Sequence, residues 1–330
     1  MISEEKSDLA VFFSDTLYLE NFLRYVSEKN AGFCCSGFTS FDKLKKYTDS
    51  HHVALLLTDE KCLNNETRNI GTDLTIVLTE DPLKRDDTDL CYIDILQPLD
   101  VILRNILKRI SDLDISLRPA LKTDKGSVYC FCSPAGRCLK TTLSVAAAEL
   151  LSQDSPALYL NLEPVSGFSA LFGESYDADI SDLLFFLRDE VREKYAIRLG
   201  SMVRMMHEIH YIPPAVNPGD IGQITGEDIK RLLEAATDTG YRNIVMDMGI
   251  WLPSFEEILE ICDKIYVPIR RDLMSGAKLS QILSYLKYIG KNELSERMKP
   301  VYLPEFNTVP DITTDLRGTE IGKFTAEILR

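Results

Sequence analysis

The residues best placed to do chemistry are Lys140, Thr141 and Thr142, which follow S-P-A-G-R-C-L and open an apolar, alanine-rich run to Leu151. A lysine and a hydroxyl at a helix start suit a phosphate: the helix presents its positive end, the lysine adds charge, and the hydroxyl holds Mg²⁺. Ahead of them, Ser127 to Cys132 is small, β-branched or aromatic and uncharged, as in a strand covered on both faces. Pro134 and Gly136 interrupt regular structure in between. Strand, loop, Lys-Thr, helix is the order of a P-loop, whose backbone N–H groups surround phosphate oxygens. The pattern G-x-x-x-x-G-K-S/T is altered, with Pro134 at its first glycine and Leu139 at its second, so Gly136 is the only loop glycine. An ordinary βα turn carrying a lysine has the same outline, and the remaining chemical groups must decide.

A second group is Asp247, at the end of the apolar run Asn243 to Met248 and just before Gly249. An acid at the end of an apolar strand downstream of a P-loop is the Walker B arrangement, in which the carboxylate orients water or hydroxyl around Mg²⁺. Ala157 to Leu162 is another strand, running into Glu163-Pro164-Val165-Ser166-Gly167-Phe168. With strands at Lys264 to Ile269 and Val301 to Leu303 and a closing helix from Glu320 to Leu329, the second half reads as an ordered P-loop ATPase core. Tyr211 to Ile221 holds three prolines and one glycine, as in an ordered surface loop. The four histidines show no metal spacing.

The first half must position a different set. Strands at Leu9 to Ser14, Phe33 to Phe38, Val53 to Leu57, Leu74 to Leu78 and Tyr92 to Leu96 alternate with helical patterns. Alternation of this kind predicts a parallel sheet with helices on both faces, and its functional groups gather at strand carboxyl ends. Those ends carry Asp15, Asp59, Thr79 and Gln97-Pro98. The expected fold is therefore α/β in two domains, each a mostly parallel sheet: residues 1–112, a linker at 113–126, and residues 127–330.

Composition narrows the partners. A formal net charge of −14 and a pI near 4.9 oppose general nucleic-acid binding and contact with anionic lipid. Eight cysteines without zinc-like spacing read as buried thiols of a reducing compartment. The opening M-I-S-E-E-K-S-D lacks a basic and an apolar signal region, and no run of about 18 apolar residues occurs. A soluble, cytoplasmic chain without membrane insertion is the expectation.

The first half resembles the receiver domain of response regulators, with Asp59 at the phosphoacceptor position and Thr79 at the hydroxyl. The acidic pair is reduced to Asp15 preceded by Ser14, and the family's lysine is Gln97, so a degenerate, protein-binding receiver is implied. The second half resembles the MinD/ParA group of deviant Walker ATPases, whose loop reads K-G-G-x-G-K-T-T. Aligned on Lys140, the signature lysine falls on Ala135, two glycines on Gly136 and Arg137, and the last glycine on Leu139. Nucleotide would then be held by Ala135, Gly136, Arg137, Cys138, Leu139, Lys140, Thr141 and Thr142, with Arg137 as a substitute cation. The group's D-x-D switch falls on Asn161 and Glu163, making Glu163 a holder of Mg²⁺ or of the attacking water. The metal set implied is Thr141, Glu163 and Asp247, the catalytic set Lys140, Glu163 and Asp247. Pro304 and Asn307 occupy the region where the group packs adenine.

Both halves together are similar to the TadZ/CpaE proteins of Tad-type pilus assembly, on S-P-A-G-R-C-L-K-T-T, N-L-E-P-V-S-G-F-S-A-L-F-G, I-S-D-L-L-F-F-L-R-D, P-P-A-x-N-P-x-D-I and Y-R-N-I-V-M-D-M-G. The resemblance implies a homodimer binding ATP and Mg²⁺, hydrolysing slowly or not at all, that helps place pilus secretion machinery (type IVb, Flp), often at a cell pole. Two alternatives stand beside it. An active MinD/ParA-type spatial-regulation ATPase on membrane or DNA calls for a basic amphipathic tail or basic patch, and E-I-G-K-F-T-A-E-I-L-R carries too little charge for one. A phosphorylation-controlled receiver-ATPase would use Asp59.

Overall fold

A computed structural model describes residues 9–28, 35–81, 84, 90–113, 126–250 and 252–330. The expected linker lies almost wholly outside these residues. The chain forms two compact units, the first comprising Met1–Lys122 with Val191–Ser201, the second Thr123–Glu190 with Met202–Arg330. Among the described residues, no helix is long and apolar enough to cross a membrane.

In the first unit the elements run β1 (Leu9–Phe12), α1 (Thr16–Glu28), β2 (Cys35–Phe38), α2 (Phe41–Thr48), β3 (Leu55–Asp59), α3 (Asn65–Arg68), β4 (Leu74–Thr79), β5 (Leu90–Asp94) and α4 (Leu99–Asp112). The strands form a parallel sheet in the order β2-β1-β3-β4-β5, the flavodoxin-like doubly wound order. β1 and β4 are buried along their whole length. α4 buries Ile102, Leu103, Ile106, Leu107 and Ile110, a stripe at helical spacing that seats it on the sheet. β5 ends at Asp94 rather than Leu96: the Asp94 carboxylate accepts from the Leu96 N–H in a turn, and Leu96 is exposed.

The second unit contains β6 (Ser127–Ser133), α5 (Lys140–Ser152), β7 (Ala157–Leu162), α6 (Phe168–Phe172) and α7 (Ile180–Asp189). The next helix, α8 (Tyr195–Met202), falls in the Val191–Ser201 segment of the first unit except for its last residue. Ile197 joins the first unit's core with Leu103 and Leu107, and Gly200 comes so near Leu107 that a Cβ there would lie 2.9 Å from its methyl. The chain continues through β8 (Arg204–Met206), β9 (Ile209–Ile212), α9 (Pro218–Ile221), α10 (Gly226–Asp238), β10 (Asn243–Gly249), α11 (Phe255–Ile261), β11 (Lys264–Ile269), α12 (Leu273–Tyr288), α13 (Asn292–Arg297), β12 (Met298–Tyr302) and α14 (Glu320–Leu329).

The second sheet has the order β12-β11-β6-β10-β7-β9-β8, parallel except for the β8–β9 hairpin. That hairpin turns on His207 and Glu208, with His207 left-handed at φ +53°. The stretch read as irregular from Tyr211 is in part β9 and the short α9. α5 is buried on nearly every side from Leu143 to Glu149, as its alanine-rich sequence requires of a central helix. Its neighbours Tyr129, Phe131, Tyr159 and Val245 alternate along β6, β7 and β10, which fixes the sheet face that α5 covers.

Candidate functional site

Strand alternation carries the α5-facing side of the sheet onward to Asp247, two residues beyond Val245 on β10, and to Asn161, two beyond Tyr159 on β7. Asp247 pairs in register with Phe131 on one side and Asn161 on the other, in the middle of the sheet. It is fully buried. Lys140, the first residue of α5, extends its ammonium to the Asp247 Oδ1 and to Glu163 Oε1, just past the end of β7. Burial opposes the Lys140 charge, but the Asp247 and Glu163 carboxylates outweigh it and hold the ammonium above its usual pKa.

A second layer fixes the two acids. Tyr159 donates from its hydroxyl to Asp247 Oδ2 at 3.2 Å, and the Asn161 amide donates to the Tyr159 oxygen at 3.2 Å. The Asn161 side-chain Oδ1 accepts from the Glu163 N–H at 2.9 Å. Burial first, and the Asp247 charge second, push the Tyr159 phenol well above its ordinary pKa, so it remains a donor. Asn161, aligned with an acid of the related switch, thus acts as a spacer between strand and carboxylate. Tyr159 and its role were missed from sequence; the available signal was its position two residues before Asn161 on one strand face.

The loop from 134 to 139 leads from β6 into Lys140. Ser133 donates to the Pro268 carbonyl at 2.7 Å and accepts from the Ala135 N–H at 3.1 Å, which ties the loop to β11. Cys138 donates to the Ala135 carbonyl. Arg137 and Leu139 are left-handed, at φ +56° and +55°. These are two of the aligned glycine positions, so the backbone keeps a glycine-type path that side chains disfavour by about 1–2 kcal/mol per residue. Gly136 has no positive φ, and a Cβ there would meet nothing within 4 Å. The loop's conformational demand therefore sits beside its glycine and not on it. Left-handed residues at alternate positions of a tight turn set successive N–H groups toward one side, as in anion-binding nests. No side chain caps α5 and its first turn has no acid, leaving its N–H groups to a ligand.

Of the residues singled out, Lys140, Glu163 and Asp247 come together. Ala135 and Cys138 are buried, Gly136 and Arg137 exposed, and Leu139, Thr141 and Thr142 half-buried. The Glu163 and Asp247 carboxylates are oxygen donors of the kind Mg²⁺ takes. Pro304 and Asn307 follow β12; Asn307 donates from its backbone and amide to Glu320, and no hydrogen bond among the described residues joins it to Lys140. In the first unit Asp59 accepts from the Ser14 N–H at 2.8 Å, the Ser14 hydroxyl at 2.7 Å and the Cys62 N–H at 2.8 Å. Burial opposes its charge, and these bonds bring its pKa below the ordinary value. Asp15 caps α1 through the Leu17 and Tyr18 N–H groups, Thr79 accepts from the Asp81 N–H, and Gln97 accepts from Asn105.

No family profile matches the chain, and no curated protein matches it. Among solved structures it is similar to a ParA family ATPase from Chlorobium tepidum, with 21% identity, 53% of this chain and 73% of that chain covered, and a TM-score of 0.45. A plasmid partition protein from Borrelia burgdorferi matches at 15% identity over 62% of this chain and 97% of that chain, with a TM-score of 0.46. The ATP complex of a Cyanothece McdA variant matches at 15% identity over 63% and 79%, with a TM-score of 0.42.

Proposed function

We propose that this chain is a nucleotide-binding P-loop protein whose second unit takes ATP with Mg²⁺, and that it serves as a TadZ/CpaE-like scaffold in Tad pilus assembly. The observation that carries the nucleotide reading is the meeting of Lys140, at the uncapped start of α5, with carboxylates from the ends of β7 and β10. Lys140 would contact the terminal phosphates, Thr141 and the two acids would hold the metal, and the 135–139 loop would supply backbone donors. Mg²⁺, when bound, supplies charge neutralisation on the phosphates. Arg137 lies exposed on the loop and replaces the missing signature lysine in this reading. Hydrolysis is slow or absent, since Asn161 supports structure where the related switch has an acid.

The pilus role rests on the sequence resemblance alone. In it the nucleotide favours a homodimer, and the first unit contacts secretion proteins, with recruitment to a cell pole. The Asp59 environment supports a receiver-like unit that works by binding: its oxygens are already engaged, and Gln97 stands where a lysine would neutralise a phosphoryl group.

The test is binding of a labelled non-hydrolysable ATP analogue with Mg²⁺ to the full chain and to Lys140→Ala, with molar mass followed by light scattering. Saturable binding that the variant loses, together with a dimer in the nucleotide state, is expected. A wild-type chain that binds no nucleotide refutes the site.

A further inference from the structure

Lys140 is not waiting for phosphate: both carboxylates that would serve a metal already hold it. The two arms differ. Asp247 is 0% exposed, lies within β10 two residues before its end, and is braced by Tyr159, so it cannot leave. Glu163 is 28% exposed, lies past the strand end, and reaches alongside Gly249, where a Cβ would be in ordinary contact with its Oε2 at 3.6 Å. Its backbone is anchored through Asn161 while its side chain borders solvent. One methylene more than aspartate brings it to the ammonium.

We infer that Glu163 is a latch that makes the site select phosphate arriving with a divalent cation over phosphate arriving alone. The inference rests on the nucleotide reading above and names a specificity-determining residue within it. A bare phosphate must pull Lys140 from Glu163 and meet an uncovered carboxylate. A cation offers Glu163 and Asp247 a replacement for the ammonium, and Lys140 then turns to the phosphates without leaving a buried charge unpaired. Losing one partly exposed charged hydrogen bond corresponds to about a tenfold change in affinity.

Simple repulsion between Glu163 and phosphate would also weaken metal-free binding, and the length of the arm separates the two causes. Glu163→Asp keeps the charge but shortens the reach to Lys140. Glu163→Gln removes the charge.

The experiment titrates a fluorescent non-hydrolysable ATP analogue into wild type, Glu163→Asp and Glu163→Gln, each once in Mg²⁺ and once in EDTA, with thermal unfolding of each ligand-free chain as the folding control. Wild type is expected to bind in Mg²⁺ and at least tenfold more weakly in EDTA. Both variants should bind about tenfold more tightly than wild type in EDTA, which narrows the gap between the two conditions. A Glu163→Asp variant that matches wild type in EDTA overturns the latch, as repulsion alone then explains Gln; so does wild-type binding that is equal with and without metal. Absence of wild-type binding in both conditions refutes the nucleotide reading itself.

Discussion

Replacing Lys140 by methionine keeps the length of the side chain and removes its ammonium, which isolates the contribution of one charge to the ligand-free fold. Glu163 turns to water at little expense. Asp247 has no such exit, and among the described residues retains only the Tyr159 hydroxyl as a side-chain hydrogen-bond partner. Removing one partner of a buried ion pair costs about 3–5 kcal/mol. Unfolding is followed by far-UV circular dichroism. At a urea slope of about 2–3 kcal/mol/M, a loss of about 3–5 kcal/mol should lower the midpoint by about 1–2.5 M at pH 7. Adding Asp247→Asn removes the stranded charge and keeps an acceptor for Tyr159, so the double variant should recover most of the loss. A Lys140→Met chain within about 1 kcal/mol of wild type at pH 7 refutes the reasoning.

Gly136→Ala should stabilise by about 0.4–1 kcal/mol in urea unfolding, because the added methyl meets open space and stiffens the unfolded chain. Arg137→Gly should change stability by less than about 1 kcal/mol, as relief of the left-handed backbone is offset by glycine's unfolded-state entropy; a loss above 1 kcal/mol from Gly136→Ala would contradict the loop geometry. His207 is opposed by burial, but the Thr313 carbonyl and the Glu149 carboxylate raise its pKa above 6.5. Its contribution is therefore complete below 6.5 and is lost as pH rises through the folded value, so wild type should exceed His207→Asn by about 1–2 kcal/mol at pH 6 and by progressively less toward pH 9. Acetyl phosphate with Mg²⁺ should leave the intact mass unchanged, since Ser14 and Cys62 engage Asp59; a stoichiometric phosphoryl adduct lost in Asp59→Asn would show a working receiver.

That Lys140 and Asp247 belong to one site was legible from the order of the elements, and alternation puts Asp247 on the face of Val245, which α5 covers. What sequence left hidden depended on contacts distant in the chain. Glu163 and Lys140 were both assigned to a ligand, yet without one they bind each other, which no local pattern encodes. The β8–β9 hairpin went unread because His207 takes a left-handed turn position usually marked by glycine or asparagine, held there by Glu149 on α5 and the Thr313 carbonyl. Leu139 and Arg137 looked like lost glycines, although the surrounding fold keeps their backbone in the glycine conformation. The end of β5 slipped by two residues because Ile95 and Leu96 are apolar, and apolar character alone does not bury a side chain.

The Val191–Ser201 segment makes the first unit discontinuous along the chain, which matters for how it is made. A ribosome that has finished α4 must add roughly 88 residues before α8 emerges, about 4–18 s at 5–20 residues per second. Throughout that interval the nascent unit lacks Ile197, and the part of its core around Leu103 and Leu107 stays unsealed. A truncated N-terminal fragment remains in that immature condition permanently. The unit's final closure is thus timed by translation of its neighbour, so a stall within β7 or α7 would strand an open, sticky intermediate for chaperones to hold.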